Sequence, residues 1–97
     1  MDQDLEKDFE AAMLHLYEEL RIHSRTASRL LIEIKKRGGL KTAKNLLHND
    51  KISYGLSEIM AQGRPNLTVE FLVLKPEWSS LFSTEEIKQA KKNLGMP

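Results

Sequence analysis

Apolar positions recur at helical spacing from the start of the chain. Leu5, Phe9, Met13, Leu16 and Leu20 fall four, four, three and four residues apart, and Ala12 and Tyr17 widen the stripe. The register predicts an amphipathic helix over residues 4–23, with Asp and Glu crowding its first turns, where the helix dipole favours them. The same alternation runs on through His23, Ala27, Leu30 and Ile34. Unbroken, a helix over 4–36 would be about 50 Å long at 1.5 Å per residue. A chain of this length packs to a span of only about 30–35 Å. Two helices with a break near 22–26, where Ser24 can cap the second, fit one compact core. One long helix would pair with another chain instead, as sustained heptads do in coiled coils.

Gly38-Gly39 stops the second helix after Lys35, Lys36 and Arg37. A short third helix carries Leu40, Ala43, Leu46 and Leu47. After the polar turn at 48–51, Ser53 is placed to cap a fourth, with Leu56, Ile59 and Met60, ended by Gly63. Residues 67–74 have strand propensity, but no second strand candidate exists to pair with them. They are expected to form a buried helix of about two turns facing Leu67, Phe71 and Leu74 inward, the alternative being a strand paired across a homodimer. Trp78, Leu81 and Phe82 make an apolar knuckle. Ser83-Thr84-Glu85-Glu86 reads as a capping box before a last helix that buries Ile87, Ala90 and Leu94. The pattern therefore predicts an all-α fold, one compact domain over 1–97 of five or six short helices. Its expected core is Phe9, Met13, Leu16, Leu20, Leu30, Leu31, Ile34, Leu46, Leu47, Ile59, Leu67, Phe71, Leu74, Trp78, Phe82, Ile87 and Leu94.

Composition narrows the class. The 97 residues contain no Cys, which excludes disulfides, thiolate metal sites and cysteine nucleophiles. No apolar run approaches the ~18 residues of a membrane span. The acidic start Met1-Asp2-Gln3-Asp4 has no apolar core of a signal peptide, so a cytoplasmic protein is expected. Net charge is +1, but it is unevenly spread: residues 1–20 hold seven acids and one base, residues 21–51 nine bases and two acids, and residues 52–97 five of each.

Gly38-Gly39, Ala43 with Leu46-Leu47, Gly55-Leu56, Leu67-Thr68-Val69-Glu70, Leu72-Val73-Leu74, Trp78, Leu81-Phe82 and Glu85-Glu86 together resemble a small bacterial domain family without an assigned activity. The resemblance covers about residues 27–94. Its anchors are apolar or turn-forming, so it implies a shared fold and transfers no site. It also implies a loose association with mobile elements and defence loci. The acidic first helix is the least family-like part.

Candidate chemistry is sparse. His15, Glu19 and His23 sit four apart, but three ligands spread over full helical turns cannot all reach one ion, so a structural or surface role is expected and no metal. No nucleophile elbow or phosphate loop is present. Lys41-Thr42 after the glycines can donate to an anion at the start of the third helix, against the plainer alternative of a solvated helix start. Glu85-Glu86 are accounted for by capping. No catalysis, cofactor or small-molecule substrate is expected.

The basic middle is the strongest functional lead. Arg21, Arg25 and Arg29 recur every four residues, with Glu33 one turn on and placed to pair with Arg29. Lys35, Lys36, Arg37, Lys41 and Lys44 cluster around the glycines. These eight residues are the candidate phosphate contacts of a nucleic-acid-binding module. The plain alternative is a solvated face that neutralises the acidic first helix. The other functional class is a protein–protein module, a homodimer or an inhibitor of a larger partner, using Asp4, Asp8, Phe9, Glu10 and Met13.

Overall fold

The computed structural model describes the backbone of residues 2–96 and the side chains of residues 4–96. Six α-helices and two 3-10 segments make up the described chain, with no strand among the described residues. They run α1 (Asp2–His23), α2 (Ala27–Arg37), α3 (Gly39–Leu47), α4 (Leu56–Ala61), a 3-10 turn (Pro65–Leu67), α5 (Val69–Val73), a second 3-10 segment (Pro76–Leu81) and α6 (Thr84–Asn93). The all-α expectation is met with more and shorter elements than predicted. The extents are 36 × 31 × 21 Å, too short for an unbroken helix over 4–36.

The break falls at residues 24–26, and its capping differs from the expectation. Thr26, not Ser24, precedes α2. Ser24 is buried, and its hydroxyl accepts from the Thr26 amide at 3.2 Å and bonds the Thr26 hydroxyl at 2.9 Å. Gly55 explains that burial. It packs against the break at φ +76°, where an added Cβ would stand 2.6 Å from the Ser24 hydroxyl. The Gln62 side chain donates to the His23 carbonyl at 3.0 Å, tying the end of α4 to the end of α1. Ser53 accepts from the Leu56 amide at 3.2 Å, so it does serve the start of α4.

One apolar cluster joins α1, α2, α3, α5 and α6. Phe9 stands edge-on to Trp78 and to Phe82, each centroid 5.4 Å away. Four expected core residues sit further out. Leu31, Leu74 and Ile87 are half-buried, and Phe71 is 38% exposed. Phe71 is displaced because Thr68 caps α5 through the Phe71 amide at 3.1 Å, and the short helix then turns Val69, Leu72 and Val73 inward.

Gly38 alone separates α2 from α3, and Gly39 opens α3 against the backbone of α1. A Cβ on Gly39 would lie 2.8 Å from the Glu10 Cα, a backbone atom that cannot move aside alone. Gly39→Ala is therefore expected to cost about 2 kcal/mol through overpacking. Urea unfolding checks it, and a loss under about 0.5 kcal/mol, the usual size of a surface change, would contradict this close approach.

Candidate nucleic-acid interface

Of the eight basic candidates, the structure engages three with acids. Arg21 Nε pairs with Glu18 at 3.1 Å, and Arg37 Nε pairs with Glu33 at 2.7 Å. Glu33 therefore pairs with Arg37, not with Arg29 as its spacing suggested. Lys44 Nζ reaches the buried Glu86 carboxylate at 2.7 Å and lies 5.1 Å from the centre of the Phe82 ring. Arg25, Arg29, Lys35, Lys36 and Lys41 are exposed and have no ion-pair partner among the described residues.

Helical spacing places the exposed cations. Ala27, Leu30 and Ile34 are the buried residues of α2. Arg29, Ile32 and Lys36, at i, i+3 and i+7, take the opposite side, with Lys35 beside them and Arg25 in the turn just before the helix. Ile32, 60% exposed, sits within this basic stripe. Lys51, from the loop after α3, lines a cleft of about 430 Å³ together with Arg29 and Ile32. Tyr54 forms part of the same cleft, and burial beside the Glu33 carboxylate pushes its phenol up. Sequence spacing gave no means of bringing residues 29 and 51 together.

The glycine turn is not an open anion site. Glu10 Oε1 already accepts from the Gly39 amide at 2.8 Å, and the Thr42 hydroxyl donates to the Gly38 carbonyl at 2.8 Å. Nor is it a solvated helix start, since Gly39 and Thr42 are buried. Lys7, Arg37, Lys41 and Lys44 line an open cleft of about 440 Å³ beside this contact.

The acidic candidates divide. Asp4 and Asp8 are exposed, and Glu10 is spent on α3. Phe9 and Met13, expected to serve a partner, are 0% exposed, so neither offers a contact surface in this fold. Four ion pairs occur among the described residues, and none joins an acid of α1 to a cation of α2 or α3. His15 and Glu19 are exposed, and no group of three potential ligands gathers among the described residues.

Glu86 and Glu70 are the polar centres that the sequence understated. The capping box is present, with the Ser83 amide donating to Glu86 Oε1 at 2.8 Å and the Glu86 amide to the Ser83 hydroxyl at 3.1 Å. The same carboxylate also meets Lys44 and, at 2.8 Å, His48 Nε2. The i, i+4 pair Lys44/His48 was the available signal of a basic face needing an acid. Glu70, 3% exposed, accepts from Asn93 Nδ2 at 3.1 Å, and burial pushes its carboxyl up.

No family model, curated protein or solved structure matches the chain. The resemblance over residues 27–94 thus rests on the quoted residues alone.

Proposed function

We propose that the chain is a non-enzymatic binding module that contacts nucleic-acid phosphates through the outward side of α2. Arg25, Arg29, Lys35 and Lys36 are its central contacts, with Lys51 and Lys41 at the margins. The supporting observation is that, among the described residues, these cations stand exposed without acidic partners, and no acid of α1 pairs with them. A face serving only as charge balance for α1 would be expected to pair with it.

Three to four phosphate contacts predict steep salt dependence. Affinity for a duplex should fall about 40- to 150-fold when salt rises about fourfold. Fluorescence anisotropy with labelled duplex and single-stranded oligonucleotides measures this. Each cation removed in Arg25→Ala, Arg29→Ala and Lys36→Ala should lower the salt slope by about one. No binding at low salt would defeat the proposal.

A protein-partner role is the second reading. It draws on the exposed Ile22 and Ile32, apolar positions that phosphate contact does not need. Asp4 and Asp8 would then supply charge contacts, without Phe9 or Met13. A complex resistant to salt and weakened by Ile32→Ala would favour it.

A further inference from the structure

The cleft of about 430 Å³ between α2 and the loop after α3 holds more than backbone contact along α2 requires. Arg29 and Lys51 line it, and neither has an ion-pair partner among the described residues. Glu33 lines it too, but Arg37 holds that carboxylate at 2.7 Å, so the charges of Arg29 and Lys51 stay unspent. Ile32, 60% exposed, gives the cleft an open apolar surface.

Tyr54 points to a ligand. It is 7% exposed, and its hydroxyl has no hydrogen-bond partner among the described residues. Trp78 Nε1 is the one orphaned side-chain atom sealed from solvent among those residues, so the Tyr54 oxygen still reaches the surface, at the cleft it lines. Burial, and after it the Glu33 carboxylate, push the phenol up against the pull of Arg37, which keeps it a protonated donor. The Ser53 hydroxyl, also in the cleft, accepts from the Leu56 amide at 3.2 Å. That bond fixes its oxygen and leaves its proton to give. Two cations and two hydroxyl donors around one hollow fit an anion with several acceptor oxygens.

An internal phosphodiester is a poor occupant. Its strand must leave the hollow on both sides, and its bases are stacked on their neighbours, so Ile32 finds no ring face. A strand end differs on each count. A terminal phosphate carries about −1.5 to −2 charges at pH 7 and three strong acceptor oxygens. Its base has one unstacked face, and Ile is among the apolar side chains that pack against bases in nucleic-acid complexes. Ordinary ligand sites span about 300–1,000 Å³, which gives this cleft room for one nucleotide.

We infer that this cleft takes the phosphorylated end of a nucleic-acid strand, with the phosphate among Arg29, Lys51, Ser53 and Tyr54 and the last base on Ile32. This rests on the nucleic-acid reading above and sharpens it, since α2 would hold the backbone beside an end.

The test is fluorescence anisotropy of the full chain with strands bearing a 5′-phosphate, a 3′-phosphate or neither. The strand with neither is one nucleotide longer, so that all carry the same number of phosphates. Phosphate at one of the two ends should tighten binding at least about tenfold, as hydrogen bonds to a charged group do. Tyr54→Phe removes only the hydroxyl. It should erase most of that preference and leave the hydroxyl-ended strand bound as before, and Lys51→Ala should lower the preference too. Equal affinity for phosphate and hydroxyl ends, or a preference untouched by Tyr54→Phe, would overturn the inference. So would displacement of the strand by inorganic phosphate or a phosphoserine peptide as readily as by the phosphorylated strand itself, because the cleft would then serve a free anion or a protein. The double variant Arg25→Ala/Lys36→Ala separates the cleft from the broader proposal. An end preference with affinity unchanged in that variant would support the cleft and defeat the α2 face. Binding that the variant abolishes, with no end preference in the parent, would do the reverse.

Discussion

Replacing Phe9 by alanine is expected to lower the unfolding free energy by about 3–5 kcal/mol, the usual cost of emptying a buried aromatic site. Domains of this size have about 5–15 kcal/mol in total, so the variant should lose from about a fifth to all of it. The site is demanding because Phe9 is 0% exposed and meets two other rings edge-on. Those rings belong to the second 3-10 segment and to the residue just before the α6 cap, so one side chain on α1 holds the end of the chain against its beginning. The Trp78 indole nitrogen is buried without a hydrogen-bond partner among the described residues, which leaves ring packing to hold it. Thermal unfolding should drop by about 12–40 °C in Phe9→Ala, at about 4–8 °C per kcal/mol. Ile22→Ala, at a position 75% exposed, should move it little. A Phe9→Ala variant within about 1 kcal/mol of the parent would mean that the three rings do not pack as described.

Helical periodicity and local capping carried most of the fold. Phe9, Met13, Leu16, Leu20, Leu30 and Ile34 announced themselves by spacing, and all are buried. The Ser83–Glu86 box was legible because both halves of its exchange lie within four residues. Short elements were harder. Over residues 67–74 every position but Thr68 and Glu70 is apolar, so no face stands out. The inward side was set by what α5 packs against, and Phe71 was left outside. Where Ser24 turns its hydroxyl depended on Gly55, thirty-one residues away in sequence, which no local rule could supply.

The candidate site was legible in composition but not in arrangement. Charge counts marked residues 21–51 as basic, yet they could not separate the exposed Arg29 and Lys36 from Lys44, which Glu86 claims across forty-two residues. They also could not tell that Glu10 would fill the start of α3. Long-range polar contacts of this kind leave no periodic trace. A buried Glu in an apolar run was the nearest hint, and Glu70 stood in one.

Glu86 carries the second large effect. Glu86→Ala removes a cap worth about 1 kcal/mol and two charge-assisted bonds, each reduced to about 1 kcal/mol because Lys44 and His48 are partly exposed. The expected loss is about 3 kcal/mol in urea unfolding at neutral pH. Glu86→Gln should lose about half as much, because an amide oxygen still accepts from Ser83. The same contacts set an acid limb. Burial pushes the Glu86 carboxyl up, but the Lys44 ammonium, the Ser83 amide and His48 together hold it down at about 2 from its usual 4.5. The folded state thus favours the ionised form. That stability is complete above about pH 4.5 and is lost as pH falls through about 2. With screening through the exposed ends of its partners, the limb should amount to about 1–2 kcal/mol. Glu70 works in the opposite sense. Its carboxyl is raised by burial, so its protonation favours the folded state as pH falls toward 4.5. Unfolding free energy measured across a pH series should therefore hold or rise slightly down to about pH 4.5 and then decline. Glu86→Gln should flatten the decline, and Glu70→Gln should remove the rise and leave the decline intact. A decline unchanged in Glu86→Gln would place the acid-sensitive contact elsewhere in the fold.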